Sequence, residues 1–266
     1  MLSLMINVIK SAFLLLLVFS SVCLNPSVLF AQTVGGFSQQ DYAELADLPD
    51  WSGIWTPDVA DQRRQATENL TPWTAEAARE ISDMLLADVS GNPAGIFNDC
   101  LPEGMPTWML ISHNAFEVLF TPGRVTLLGE SDNNRLRRIY TDGREHPEDP
   151  DPSYHGHSIA HWEGDTLVVD TIGILPESYI AISEATGVRN GGDMHVKERI
   201  YLAEPDIMYV DMEITAPHVL TETWETRRIY ERVRGFDIVE GICLQGTSFN
   251  QVDEDGEFIF LPTMPE

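Results

Sequence analysis

The 266-residue chain carries 42 acidic and 16 basic residues, for a formal net charge of −26. Nucleic acids and anionic membrane surfaces bind through cationic patches, so this composition argues against both as partners. The roughly 235 residues that follow the first segment fit one domain, because all-β domains reach about 200–250 residues.

The first 31 residues have the pattern of a cleaved secretory signal peptide. Lys10 supplies the positive charge, residues 11–21 are apolar, and a cleavage site follows Ala31. The apolar core is shorter than the roughly 20 residues that span a bilayer, so we expect no stable membrane insertion after cleavage. The sequence therefore predicts a periplasmic or secreted bacterial protein.

Residues 32–50 are polar and predict a flexible lead-in, and residues 51–266 predict a single β-rich domain. The domain opens with Trp-Ser-Gly-Ile-Trp at 51–55, a short strand with aromatic anchors. Its Gly53-x-Trp55 pattern is similar to the first strand of lipocalins, in which a Trp closes one end of the barrel.

One amphipathic helix is predicted after an irregular stretch at 56–70. Thr71 is the expected N-cap and Pro72 the first helical residue. Apolar residues then recur every four positions, a stripe wide enough to pack on a sheet. They are Trp73, Ala77, Ile81 and Leu85.

Two cysteines follow the signal peptide, Cys100 and Cys243. In an oxidising compartment such a pair predicts a disulfide, with two buried free thiols as the alternative. Cys100 lies within a Gly- and Pro-rich loop at 90–107, which is long enough to cover part of the domain.

From residue 116 onward apolar residues alternate with a period of two, which predicts β-strands. The predicted strands are 116–120, 124–129, 135–140, 157–162, 166–172, 195–202, 207–215, 222–233, 236–244 and 257–261. Residues 176–193 are Gly-rich and predict a mobile segment. Sequential strands with one helix predict a mainly β fold, an antiparallel lipocalin-like barrel, with a β-sandwich or a cupin-like fold as alternatives.

A metal site is one interpretation of the hairpin at 152–174. His155-x-His157 with Glu163 resembles the first motif of cupins, and His195 is placed to supply the later histidine of that family. Such a set would hold one transition-metal ion. The spacing departs from the cupin pattern, however, and Glu163 falls at a turn. We therefore expect no metal and no cofactor, and keep this ligand set as the alternative.

The preferred interpretation is a metal-free pocket, because acids and bases among apolar neighbours acquire shifted pKa values that suit proton transfer. Glu198 lies between Val196 and Ile200 on one strand face. The residues predicted as catalytic are His157, Asp170, Glu198 and Arg228. Those predicted to bind ligand are Trp162, Trp224 and Tyr230. Two alternatives stay open: an inward Glu198–Arg228 pair can be a structural ion pair, and His157 can be a core residue.

No Gly-rich phosphate loop connects a strand to a helix, which argues against nucleotide cofactors. The Gly-x-Ser-x-Gly elbow of exported esterases is also missing from the sequence.

The run from Tyr140 to Gly173 resembles a set of exported bacterial proteins of unknown function. These share a G-H-S-I-G-x-W-E-G-D-T-L-V-V-D-T core, in which Ala160 here replaces a glycine. The matching residues are Gly156, His157, Ser158, Trp162, Glu163, Gly164, Asp165 and Asp170. The resemblance implies export and does not identify an activity.

Three functions are compatible with these patterns. The first is an exported small-molecule enzyme of lyase, hydratase or isomerase type, with His157 as acid or base, Asp170 or Glu198 orienting it, and Arg228 meeting an anionic substrate group. The second is a periplasmic carrier for an apolar or aromatic ligand, in which Trp224 contacts the ligand. The third is a cupin-like metalloenzyme.

Overall fold

The computed structural model describes residues 37–90, 101–111, 115–130, 135–183, 185–240, 247–252 and 258–262. The predicted signal peptide, Cys100 and Cys243 lie outside these residues, so cleavage and the disulfide remain predictions. No helix among the described residues is long and apolar enough to cross a membrane.

Nine strands of the described chain close into a barrel, and four others form two separate two-stranded sheets. In chain order the strands are β1 (Ile54–Pro57), β2 (Phe116–Thr121), β3 (Arg124–Gly129), β4 (Leu136–Tyr140), β5 (His157–Glu163), β6 (Thr166–Ile172), β7 (Tyr179–Ser183), β8 (Thr186–Arg189), β9 (His195–Glu204), β10 (Ile207–Thr215), β11 (Trp224–Val233), β12 (Thr247–Val252) and β13 (Phe258–Pro262). The order around the barrel is β1-β11-β10-β9-β6-β5-β4-β3-β2, and β2 pairs with β1. This closed ring confirms the predicted barrel.

One strand pair departs from the predicted antiparallel arrangement. β4 and β5 are parallel, with Ile139 opposite Ser158 and Tyr140 opposite Ile159. The prediction was wrong here because residues 141–156 form a long connection, which lets the chain return and enter β5 in the direction of β4. The β4–β5 ladder is short, with only two residue pairs.

The described helices are α1 (Gln39–Ala43), a 3-10 turn (Glu44–Asp47), α2 (Val59–Glu68), α3 (Ala75–Val89) and α4 (Thr107–Leu110). The prediction of a single helix was therefore wrong. α2 occupies the stretch expected to be irregular, and none of its residues is buried, so it has no apolar stripe to reveal it. Asp58 caps α2 by accepting a hydrogen bond from the Asp61 N–H.

The predicted amphipathic helix is α3, and its start was placed three residues too early. Thr74, not Thr71, is the N-cap, and its side chain accepts a hydrogen bond from the Ala77 N–H. Trp73 lies before the helix and forms an isolated bridge with Leu220.

Two further predictions, a mobile segment and a strand, also need correction. Residues 176–193, expected to be mobile, contain the β7–β8 hairpin, whose Ile180, Ala181 and Val188 are buried. Residues 236–240 of the predicted strand 236–244 are not in a strand. The last strand, predicted at 257–261, is present as β13, and it pairs with β12 in a separate two-stranded sheet.

The segment around α4 is buried against the inner residues of the barrel. Trp108, Met109 and Leu110 are all at most 3% exposed. The Tyr230 hydroxyl of β11 donates to the Met109 carbonyl oxygen at 3.0 Å. Trp108 lies so close to Gly129 that a Cβ at this glycine would be 2.6 Å from the Trp108 ring. The core is therefore packed around this segment, which fixes the positions of polar side chains on β11.

Candidate functional site

A charged pair occupies the core of the barrel. Arg137 of β4 and Glu198 of β9 form a bidentate salt bridge, and their side chains are 1% and 0% exposed. The Arg137 guanidinium also donates to the hydroxyls of Ser158 and Thr171. Glu198 faces the interior as predicted, but its pairing with Arg228 was wrong, because the Glu198 carboxylate pairs with Arg137 and Arg228 binds other groups.

His155 lies beside this pair and in contact with the Trp108 ring, with ring centroids 5.5 Å apart. Both of its ring nitrogens are buried without a hydrogen-bond partner among the described residues. Burial, followed by the positive charges of Arg137 and Arg135, lowers the pKa of His155 to about 4. His155 is therefore a neutral interior ring at neutral pH.

A small pocket opens between α2 and the start of β11. We call this the α2 pocket; its volume is about 260 Å³. Gln65 joins the two elements, since its side chain donates to the Arg227 carbonyl oxygen and accepts from the Thr226 hydroxyl. The lining residues are Arg64, Gln65, Ala66, Glu68, Leu70, Thr71, Ile182, Trp224, Glu225, Thr226, Arg227 and Arg228.

Arg228 is the buried cation of the α2 pocket, at 3% exposure. Its Nε donates to the Leu110 carbonyl oxygen at 2.7 Å, and its Nη1 donates to Gln65 Oε1 and Thr226 Oγ1. These partners are all neutral, and no described carboxylate forms a salt bridge with Arg228. Burial lowers the pKa of Arg228 to about 10, so it stays charged at neutral pH.

The three predicted ligand-binding residues do not come together. Trp224 lines the α2 pocket and is 9% exposed. Trp162 packs instead against Trp51, with ring centroids 5.3 Å apart. Tyr230 is fully buried, and burial raises the pKa of its phenol. Tyr230 is therefore a core residue of the barrel, and Trp162 is partly buried and packs against the core.

A second cluster of titratable groups lies on the outer face of the barrel. We call it the outer histidine cluster; it consists of His146, His157, Asp170 and His195. His146 Nδ1 is 2.8 Å from His157 Nδ1, and His146 Nε2 is 3.1 Å from Asp170 Oδ1. His195 Nε2 lies 2.7 Å from the same Asp170 oxygen. The predicted residues His157 and Asp170 are thus connected, but through His146.

The β5 strand presents His157 outward because Ser158 on the same strand faces the interior next to Arg137. The His157 ring stacks on Tyr140, with centroids 5.5 Å apart, and Arg144 covers the Tyr140 ring from 3.8 Å. Partial burial, then the charges of His146 and Arg144, lower the pKa of His157. This environment favours a neutral imidazole at neutral pH.

The alternative metal ligands are not brought together either. The ring nitrogens of His155 are buried beside Trp108, while His157 and His195 lie on the outer face of the barrel. Glu163 pairs with Arg199 and contacts His161, and the Arg199 hydrogen bond is the main reason that the pKa of Glu163 is lowered. In the part of the chain that the structure describes, no group of three or more His, Cys, Asp or Glu residues is arranged to hold a metal ion.

Two residues of these sites were missed from the sequence. Arg137 shares strand parity with the apolar Ile139, so an inward position was readable from the alternation. His146 lies in the connection 141–156, where no periodicity indicates which face of the sheet it meets.

Comparisons with known proteins identify no family. No family model matches the chain, and no curated protein matches it. Among solved structures, one match is described as "REP1-NXSQ fatty acid transporter". It is 10% identical, covers 69% of this chain and 96% of its own, and has a TM-score of 0.33. A similarity this low carries no argument about the function of this chain.

Proposed function

We propose that the protein binds a small molecule, with one anionic group and an apolar or aromatic body, in the α2 pocket. The observation that carries this proposal is the guanidinium of Arg228, which is buried and has only neutral hydrogen-bond partners among the described residues. A buried charge is costly unless it is paired, so an anionic ligand group gains from meeting it.

The remaining lining sets limits on the ligand. Trp224 offers an aromatic wall and Ile182 an aliphatic one, so an apolar body can pack beside the charged group. Three arginines and two glutamates border the pocket, for a net charge of +1, which suits a ligand with one negative charge better than one with several. A volume of about 260 Å³ is slightly below the range of roughly 300–1,000 Å³ that is usual for ligand pockets, so the ligand is small.

Calorimetric titration with 4-phenylbutyrate, and with the neutral 4-phenylbutanol, tests the proposal. We expect the carboxylate to bind at least about tenfold more tightly, because a hydrogen bond to a charged group contributes about 1.5–3 kcal/mol. Arg228→Met should remove this preference, and Trp224→Ala should weaken both compounds. Arg234→Met is the matched control, because Arg234 is an exposed arginine that pairs with Asp206 outside the pocket.

Equal affinity of the two compounds in the wild-type protein would contradict an anion-binding pocket. So would an unchanged preference in Arg228→Met. Because Arg228 also holds Gln65 and the Leu110 carbonyl, Arg228→Lys serves as a second variant that keeps the charge. It keeps a positive charge but loses the planar guanidinium, so it should retain part of the preference for the carboxylate.

A second candidate function is an acid–base enzyme of lyase, hydratase or isomerase type, which acts at the outer histidine cluster with His157 as the base. The hydrogen-bonded chain from His157 through His146 to Asp170 favours it, since a base held by a second group and a carboxylate is a recurring arrangement in proton transfer.

Proton abstraction can be detected without knowing the substrate. A base that removes a C–H proton in D2O returns deuterium, so NMR of a panel of small carbonyl compounds should show C–H to C–D exchange. His157→Ala should abolish this exchange, whereas His161→Ala, a change of an exposed histidine on the same strand, should not. Exchange that persists in His157→Ala would remove His157 from the mechanism.

A further inference from the structure

We propose that His146 determines which ring nitrogen of His157 carries its proton, and that His146 takes up the positive charge when His157 accepts a proton. The inference rests on the second candidate function, the acid–base enzyme, and adds to it a residue that positions and supports the base. The residues involved are His157, His146 and Asp170, which are joined by two hydrogen bonds.

The chain of assignments begins at Asp170. An ionised carboxylate can only accept hydrogen bonds, so the ring nitrogen that faces it must carry a hydrogen. That nitrogen is His146 Nε2, 3.1 Å from Asp170 Oδ1. A neutral imidazole has one N–H, and His146 Nδ1 is therefore an acceptor. His195 Nε2 donates to the same carboxylate oxygen from the other side and helps to hold it in place.

The assignment of His146 fixes that of His157. The two Nδ1 atoms are 2.8 Å apart, and such a contact needs one donor and one acceptor. Because His146 Nδ1 accepts, His157 Nδ1 must donate. A neutral His157 then has its lone pair on Nε2, which makes no hydrogen bond with the described residues. This is the nitrogen available to remove a proton from a substrate.

The same contact provides a route for charge. When His157 Nε2 accepts a proton, the proton on His157 Nδ1 can pass along the hydrogen bond to His146 Nδ1. His157 ends neutral with a hydrogen on Nε2, and His146 becomes an imidazolium that donates from Nε2 to Asp170. The proton that leaves the substrate thus appears as a positive charge on His146, where the carboxylate stabilises it.

The titratable groups around the base come from three elements. Tyr140 of β4 stacks on His157, and Arg144 of the connection covers Tyr140. Lys197 of β9 lies directly opposite Asp170 of β6 in the strand register. Burial is the main reason that the pKa of His157 is lowered, and Arg144 is a further cause, which keeps Nε2 unprotonated at neutral pH.

The proposal is tested by determining the tautomer of His157 from imidazole ¹⁵N chemical shifts of the full-length protein. The measurement is made at about pH 8, because this is above the ordinary histidine pKa. We expect wild-type His157 to carry its hydrogen on Nδ1. In His146→Ala the hydrogen should move to Nε2, because the acceptor that holds it on Nδ1 is gone. His146→Asn keeps an acceptor near the Nδ1 position, so it should preserve the wild-type tautomer.

His161→Ala is the control, since His161 is exposed on the same strand and contacts Glu163 instead of His157. It should leave the His157 signals unchanged. A hydrogen on Nε2 of wild-type His157, or an unchanged tautomer in His146→Ala, overturns the proposal. The readout needs no turnover, so a failure of the acid–base function and a failure of this tautomer assignment are seen separately.

Discussion

Removal of the Glu198 carboxylate should strongly destabilise the barrel, and the structure sets the size of the effect. The Arg137 and Glu198 side chains are 1% and 0% exposed, and two guanidinium nitrogens meet the two carboxylate oxygens. Glu198→Leu leaves a buried guanidinium with only the Ser158 and Thr171 hydroxyls. Breaking such a pair from one side costs about 3–5 kcal/mol. Since a domain has about 5–15 kcal/mol of stability in total, a large part would be lost.

Urea unfolding at pH 7, followed by tryptophan fluorescence, measures this loss. The double variant Arg137→Met/Glu198→Leu removes both charges and fills the space with apolar side chains. Its free energy of unfolding should therefore be close to that of the wild type, or higher by about 1–4 kcal/mol. Glu163→Gln is the control, because its pair with Arg199 is about half exposed on both sides and should contribute little. If Glu198→Leu stays within about 1 kcal/mol of the wild type, or if the double variant is no more stable than the single one, the reasoning fails.

Three further predictions address the interior and the helix. The pKa of His155 is about 4 in the folded chain, against an ordinary value of 6.5. As the pH falls from 6.5 to 4, the unfolded chain therefore binds a proton that the folded chain does not, and the free energy of unfolding should drop by roughly 3 kcal/mol. In urea unfolding, His155→Phe should show a flatter pH dependence. Gly129→Ala places a Cβ 2.6 Å from the Trp108 ring and should cost about 1–3 kcal/mol, measured as a lower urea midpoint; an unchanged midpoint would mean that Trp108 can move aside. Thr74→Ala should cost about 1 kcal/mol through loss of the α3 cap, and a calorimetric melting temperature equal to that of the wild type would contradict this role of Thr74.

The barrel could be predicted because its strands follow one another along the chain. Turns such as Pro122-Gly123 separate alternating runs, and most spatial neighbours are also sequence neighbours. The parallel β4–β5 pair could not be predicted, because the direction of β5 depends on the path of the connection 141–156. α2 was missed for a different reason: it buries no residue, so its packing leaves no apolar period in the sequence.

Strand parity predicted part of the site. Glu198, Arg228 and Trp224 were placed inward, and all three are buried. Parity says nothing about which inward residues meet across the barrel, and so the partner of Glu198 was assigned incorrectly. His157 was ambiguous because both faces of β5 carry similar residues: one has Ile159, and the other has Ala160. Only the fit of Ser158 beside Arg137 decides which face turns inward.

The shortest barrel strand has a consequence for self-association. All four residues of β1 pair with β11, and two of them also pair with β2. The Thr56 hydroxyl donates to the carbonyl oxygen of Glu231, which is 175 positions away in the sequence. Without β1 the sheet has two free edges, and unpaired backbone groups on such edges are templates for pairing between chains. Pairing β1 with β11 closes a loop that contains most of the barrel, which is slower than forming a hairpin. Ile54–Pro57 therefore joins both edges of the sheet at once, and removal of β1 should expose β11 and the start of β2 to pairing with other chains.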